Sequence, residues 1–347
     1  MLDSSRLLPY TRTMPTEPRT LQEAILYFAD PENCMHYLLA HRPEWKNGVV
    51  CPTCDSKDVG FIASRRMWQC KNRHPKSQFS VKVGTIMEDS AIGLDKWLVA
   101  IWMQTNSRNG VSSWEIHRSL GITQKCAWHM LHRIRLAMQD DLSGGTLSGE
   151  VEVDESYIGG KARNMHRSRK RRMQITCGRK VGKTVVLGIL ERETESKPKR
   201  IRATVVPDAQ KLTIAPEVYA HVEPGSQIHS DEHGNNWRMD DRYIHNIVNH
   251  LETYVQGNVH TNTLENFWSL LKRGLAGTYV AVEPFHLFRY VDERAFRYNN
   301  RRHADGEVMT DSERFSVAVE QIVGRRLTYA ELTGKVGEKR EGTETVN

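Results

Sequence analysis

Glu150-Val-Glu-Val-Asp-Glu-Ser-Tyr157 alternates, with Val151 and Val153 on one side and Glu152 and Asp154 on the other. A period of two is the signature of a β-strand, here with one apolar face and one acidic face. Downstream, Lys183–Arg192 (KTVVLGILER) and Arg200–Val206 (RIRATVV) read as two more strands, Ala209–Val222 as a helix and Gln227–Ser230 as a short strand. Long helices follow near 262–274 and 284–300. Strands first, then helices interleaved with one more strand, give a mixed sheet flanked by helices. Upstream, Asp141-Leu-Ser-Gly-Gly-Thr-Leu-Ser-Gly149 is rich in Gly and Ser and marks a boundary.

The chain has 347 residues, enough for two or three domains, and 39% are apolar, so it can bury real cores. No apolar run approaches the ~20 residues of a membrane helix. The N-terminus lacks the apolar core and small-residue site of a signal peptide. Six Cys are too few for a secreted disulfide scaffold, and three cluster at metal-ligand spacing, as in a reducing cytosol. The net charge of +7 fits a polyanionic partner. The reading expects a loose arm over 1–20, a helix with a Cys-containing module over 21–90, a helical region over 91–147, a mixed block over 148–330 and a flexible tail over 331–347.

Three acids stand out in the mixed block. Asp154 lies toward the end of its strand, Asp231 directly follows Gln227–Ser230, and Glu265 lies on a helix. On that helix Asn262, Glu265 and Lys272 share one face, while Leu264, Phe267, Leu271 and Leu275 form an apolar stripe. Clustered carboxylates repel unless a cation neutralises them, and Mg²⁺ (or Mn²⁺) is the hard, oxygen-seeking choice. Two such ions clamp the attacking and leaving oxygens of an in-line phosphoryl displacement. Lys272 would meet the phosphates as a point charge. Taken singly, Asp154 and Asp231 equally suit turn formers and Glu265 a solvated position.

Cys51-Pro-Thr-Cys54 is followed by fifteen residues and then Cys70-Lys-Asn-Arg-His74. Three thiolates and an imidazole suit a structural Zn²⁺. The fourth position is the open one: Arg73 stands where a second C-x2-C would place Cys, and His74 comes one residue later. Arg65, Arg66, Trp68, Lys71, Arg73 and Lys76 surround the module, either as phosphate contacts or as a solvated basic face.

Further on, Ser112-Ser-Trp-Glu115 is a capping-box pattern, Gly121 sits at a turn, and Thr123 can cap the next helix. There Ala127, Leu131, Ile134 and Met138 form an apolar stripe, with Lys125, His129, His132 and Arg133 read as lying away from it. This is a helix-turn-helix layout, open also to a purely structural hairpin.

Val151–Lys161 (VEVDESYIGGK), His229-Ser-Asp231, His260–Arg273 (HTNTLENFWSLLKR), Phe296–Arg301 (FRYNNR) and Gly84–Ser90 (GTIMEDS) together resemble the DDE transposases of bacterial insertion sequences related to Merlin elements. The resemblance spans roughly residues 25–330. It implies a zinc ribbon, a helical DNA-binding region and an α+β RNase H-like catalytic domain. It implies Asp154 and Asp231 as the first two catalytic acids and, as the third, either Glu265, which is favoured, or Asn262, followed by Lys272. Ser156 and Ser230 stand where Thr is usual, and Asn266 where Gly is common. Lys161–Lys183, with ten Lys or Arg and no acid, would be a loop after the first catalytic strand. Its Arg169, Lys170, Arg171 and Arg172 would contact the DNA backbone, unless the run is only solvated. The implied activity is binding of the element's terminal inverted repeats, strand cleavage and strand transfer to target DNA, by a dimer or larger assembly on the nucleoid of a bacterial cytoplasm. A silent DNA-binding regulator and a plain metal-dependent nuclease are the competing functions.

Overall fold

The computed structural model describes residues 17–139, 145–160, 166–172, 182–194, 197–231, 242–248 and 261–335. The described chain divides into two compact units. One holds residues 17–107, 111–137 and 310–335, and the other 108–110 together with the described residues of 138–309.

The second unit is built on a five-stranded sheet. Its strands are β4 (Glu150–Ile158), β5 (Thr184–Glu191), β6 (Arg200–Val206), β7 (Gln227–Asp231) and β8 (Ile244–Val248). They lie in the order β6-β5-β4-β7-β8, with β4 in the centre. β4, β5 and β6 pair antiparallel, whereas β7 runs parallel to β4 and β8 parallel to β7. Alternation sorts the side chains by face. Val151, Val153, Leu187, Ile189 and Ile228 pack on the side of α7 (Lys211–His221). Val186, Leu190 and Ile201 pack under α8 (Asn262–Gly274) and α9 (Leu287–Asn299). Helices on both faces explain why β5 is an almost unbroken apolar run. This is the α+β, mixed-sheet architecture expected of the RNase H-like domain.

The edge strand β6 is closed by a side chain. Asn299 accepts from Ile201 N–H and donates to Ile201 C=O, both at 2.9 Å, and so imitates a neighbouring strand. This gives Phe296–Arg301 a structural role. β8 was not foreseen: Ile244-His-Asn-Ile-Val248 is short, carries polar His and Asn inside it, and lies at the other edge.

In the first unit, the one helix expected ahead of the Cys-containing module within 21–90 is two helices, α1 (Leu21–Phe28) and α2 (Pro31–Ala40). The break is chemical, since Asp30 caps α2 through Glu32 N–H and Pro31 opens it. The ribbon strands are β1 (Val59–Ile62), β2 (Met67–Cys70) and β3 (Gln78–Phe79). α3 (Leu94–Asn106), α4 (Ser113–Leu120) and α5 (Gln124–Ala137) follow. Two C-terminal helices, α10 (Asp311–Glu320) and α11 (Tyr329–Leu332), complete this unit, although the sequence reading carried the mixed block on to residue 330. The physical reason is Phe315, whose ring lies 5.7 Å from Phe28, 5.3 Å from Tyr37 and 5.0 Å from Trp102. Tyr37 also shares a 2.8 Å hydrogen bond with Ser316.

One glycine in the sheet is required by close approach. A Cβ on Gly188 would lie 2.7 Å from Trp268 and 2.8 Å from Leu264, so α8 rests on the bare backbone of β5. Gly188→Ala should therefore lower the unfolding free energy by about 1–3 kcal/mol, the ordinary cost of overpacking. Urea denaturation followed by circular dichroism checks this.

Candidate functional site

Asp154 sits on the central strand, on the α8 side of the sheet. Its Oδ1 accepts from Glu155 N–H at 2.8 Å and its Oδ2 from the Trp268 indole N–H at 2.9 Å. Two residues earlier on the same face, Glu152 is fully buried. Its Oε1 lies 2.8 Å from Arg192 Nε, and its Oε2 accepts from Leu264 N–H at 3.0 Å. Leu264 N–H is a first-turn donor with no partner inside the helix, so a strand carboxylate caps α8. The anchor points match in length. Four helical residues rise about 6 Å and two strand residues about 6.6 Å, so α8 runs alongside β4 in the same direction.

These tethers place the candidate third acid. Glu265 follows the capped Leu264 directly and precedes Trp268 by three, which makes Glu265 and Trp268 neighbours on the helix surface. Asn262, six residues before Trp268, lies about 9 Å from it along the axis. Asn262, Glu265 and Lys272 are all exposed, while Leu264, Phe267 and Leu271 are buried, so the two faces of α8 divide as the spacing expects. Leu275 lies beyond the helix, partly buried against the same core.

Asp231 ends β7. The parallel register pairs Glu150 with Gln227, Val151 with Ile228 and Glu152 with His229. The pairing stops there, and the same register continued two steps further would bring the Asp231 backbone level with Asp154; the Asp231 side chain lies outside the described residues. Glu155 alternates onto the Val151–Val153 side, away from Asp154.

The sequence reading missed Glu152 as a cap, Arg192 as its partner, and Trp268. The one available signal was Gly188. A lone glycine inside an apolar strand marks a close approach, and here it is the Cα partner of Asp154.

In the ribbon, the candidate ligand atoms of Cys51, Cys54, Cys70 and His74 lie within 4.8 Å of one another. Cys54 and Cys70 sulfurs are 3.7 Å apart, and Cys51 Sγ is 3.4 Å from His74 Nε2. A tetrahedral Zn²⁺ with Zn–S of about 2.3 Å and Zn–N of about 2.0 Å needs S···S near 3.8 Å and S···N near 3.5 Å. The four residues therefore fit structural zinc. His74 Nδ1–H donates to Pro75 C=O at 2.7 Å, which leaves Nε2 as the ligand atom. His74 thus fills the position left open by Arg73.

Several of the surrounding residues have other work. Trp68 is buried beside Trp45 and Phe79 as the ribbon's small core. Arg66 pairs with Glu32 at 2.7 Å and Lys71 with Asp58 at 2.5 Å.

The helix-turn-helix segment forms with the expected caps. Ser112 and Glu115 make the capping box, Gly121 is left-handed at φ 61°, and Thr123 Oγ1 accepts from Cys126 N–H. The stripe Ala127, Leu131, Ile134 and Met138 is buried. The polar side of α5 differs from the expectation. His132 and Arg133 are buried, Arg133 donating to Glu88 C=O at 2.5 Å. His129 contacts Leu327 C=O at 3.2 Å, and the exposed Lys125 lies over the Tyr329 ring at 4.6 Å. The returning C-terminal segment and residues 88–89 cover what the sequence alone reads as open surface. Burial pushes His129 below the ordinary imidazole value, the hydrogen bond with Leu327 C=O opposing the shift and the Arg133 charge adding to it.

Arg171 is exposed on α6 (Arg167–Arg172), whereas the side chains of Arg169, Lys170 and Arg172, like most of Lys161–Lys183, lie outside the described residues. No described helix is long and apolar enough to cross a membrane.

Cys70→Ser and His74→Ala should each lower the bound zinc from about one equivalent per chain and unfold the ribbon, because the ion supplies folding free energy there. Elemental analysis after dialysis checks the first effect, and proteolysis within 46–90 the second.

A family model described as an ISXO2-like transposase domain matches residues 146–299, which contain Asp154, Asp231, Asn262, Glu265 and Lys272. A second, described as a transposase zinc-ribbon domain, matches residues 29–72 and stops just short of His74. A Halobacterium salinarum protein named as an uncharacterized protein in transposable element ISH50 is 29% identical over 251 residues, covering 67% of this chain and 79% of its own length. Two transposase family models thus match separate parts of the chain, a zinc ribbon followed by an ISXO2-like transposase domain, and its relative belongs to a transposable element, as a transposase of an insertion sequence would.

Proposed function

We propose that this transposase works by DDE chemistry, cutting DNA at its element's ends and joining the freed 3′-hydroxyl to target DNA. The observation that carries the reading is the double tether of α8 to β4, which fixes the helix bearing Glu265 along the strand bearing Asp154, next to the strand ending in Asp231.

Asp154, Asp231 and Glu265 would hold Mg²⁺ or Mn²⁺, with Asn262 a further oxygen donor on the same face of α8. Three hard anionic ligands suit such an ion. Glu265 is the better third ligand, because it adjoins Trp268, which bonds Asp154. When such ions are bound, the chemistry they supply is activation of the attacking oxygen and neutralisation of the departing one. The protein's own part is positioning. The Asp154 carboxylate is held by two hydrogen bonds before substrate arrives. Lys272, two turns beyond Glu265, offers a cation to the DNA phosphate. In the first step a water oxygen bonds to phosphorus as the bond to the 3′-oxygen breaks, leaving a 3′-hydroxyl and a 5′-phosphate. In the second, that 3′-hydroxyl attacks a target phosphodiester, so one P–O bond forms and one breaks.

Element-end recognition falls to the ribbon and the helix-turn-helix, with Lys125 the surface cation among the α5 residues and Arg171 a backbone contact from α6. His129 and Arg133 would join only if the C-terminal cover moved aside. Holding two ends and a target calls for a dimer or larger assembly, working on the nucleoid.

The test uses the full chain, a duplex carrying the inverted repeat that flanks its own coding sequence, a target plasmid and Mg²⁺ or Mn²⁺. Wild type should nick at the repeat and join ends to the plasmid. Asp154→Asn should lose both by roughly a thousandfold, with repeat binding in a gel shift unchanged. Nicking without joining would identify a nuclease. Binding without cutting, indifferent to Asp154→Asn, would identify a regulator.

A further inference from the structure

We propose that Trp268 is a positioning residue for the metal-holding carboxylate, an inference that rests on the DDE reading above. Its indole N–H reaches Asp154 Oδ2 at 2.9 Å while the ring is 4% exposed. A buried indole N–H needs a partner, so the ring and the carboxylate fix each other. The ring is held from behind as well. It fills the space that a side chain at residue 188 would occupy, with Cζ2 and Cη2 2.7 and 2.9 Å from where that Cβ would be. Phe267 meets it edge-on at 5.2 Å. Since Gly188 is the cross-strand partner of Asp154, the indole lies directly over that pair.

The choice of donor matters chemically. Lys or Arg at this place would orient Asp154 but also neutralise it. An indole N–H orients the carboxylate and leaves its full negative charge for a divalent cation. The same bond sets the spacing between two proposed ligands, because Glu265 is three residues from Trp268 on one rigid helix. Loss of the N–H should therefore weaken metal binding by about 10–100-fold, the usual effect of removing a partner of a metal-ligating group.

The experiment compares wild type, Trp268→Phe, Trp268→His and Asp154→Asn as full, zinc-loaded chains. Phe keeps an apolar aromatic ring without a donor, whereas His keeps a ring N–H. Two quantities are read: Mn²⁺ bound without DNA, from the electron paramagnetic resonance signal of the free ion, and the Mn²⁺ concentration for half-maximal cleavage. Melting temperature reports on folding. The expected result is that Trp268→Phe needs about 10–100-fold more Mn²⁺ by both measures, melts within a few degrees of wild type and cleaves again at high Mn²⁺, with Trp268→His intermediate. If Trp268→Phe binds Mn²⁺ and cleaves as wild type does while Asp154→Asn is inert, the positioning role is wrong and the DDE reading stands. If Asp154→Asn still cleaves, both fall. Should Trp268→Phe fail to fold, Trp268→His decides alone: an intermediate rise in the Mn²⁺ requirement supports the role, and either wild-type Mn²⁺ affinity or a loss equal to that of Asp154→Asn overturns it.

Discussion

The second unit depends on a buried carboxylate. Glu152, with no exposure, stands between the Arg192 guanidinium and the first-turn amide of α8. Arg192 reaches on to Glu150 at 2.7 Å, and Glu150 lies 3.6 Å from the buried His229 of β7. A charge removed from water is costly unless it is paired and fully hydrogen-bonded, and breaking such a pair typically costs about 3–5 kcal/mol. The same cost makes the arrangement specific. If α8 slipped by one residue, Glu152 would lose its amide and Asp154 its indole together. Register between helix and strand, which governs where Glu265 stands, is thus set by polar groups that have few other places to go.

Apolar packing cannot set that register by itself. Leu264, Phe267, Trp268 and Leu271 would bury comparable area after a small slide along β5, because hydrophobic burial is non-directional. The steric exception is Gly188, the point where α8 comes closest. A glycine notch and two hydrogen bonds, at residues 152 and 154, therefore define the placement from three sides. The exposed Asn262, Glu265 and Lys272 stay out of this framework, and their side chains remain available to solvent and ligand.

Much of this was legible from residue order, for identifiable reasons. Strand alternation and helix periodicity are local, and β4, β5, β6 and β7 and the helices α7, α8 and α9 lie within about three residues of where the pattern puts them. The capping box at Ser112–Glu115 and the Cys spacing were equally local. What escaped was non-local. Glu152 reads as one more solvent-facing acid until α8 is known to end over it. His132 and Arg133 read as a polar face until residues 88–89 and the chain's C-terminal return cover α5. Phe315 gives no hint in its own helix that its partners, Phe28, Tyr37 and Trp102, lie more than two hundred residues earlier.

The two candidate metal sites show how one chain keeps different ions apart. The ribbon offers three soft sulfurs and one imidazole, already at the separations of a closed tetrahedron, with the tautomer fixed by Pro75 C=O. Asn72 Nδ2 lies 3.6 Å from Cys54 Sγ and helps to satisfy that sulfur. Such a site favours Zn²⁺ and leaves no position for substrate. The sheet site offers carboxylates on separate elements, one rigidly held at Asp154 and one exposed at Glu265. Hard oxygen donors with open positions favour a partly hydrated Mg²⁺ or Mn²⁺ that can also take phosphate. Donor hardness and closure, more than raw affinity, assign the structural ion to one unit and the proposed chemistry to the other.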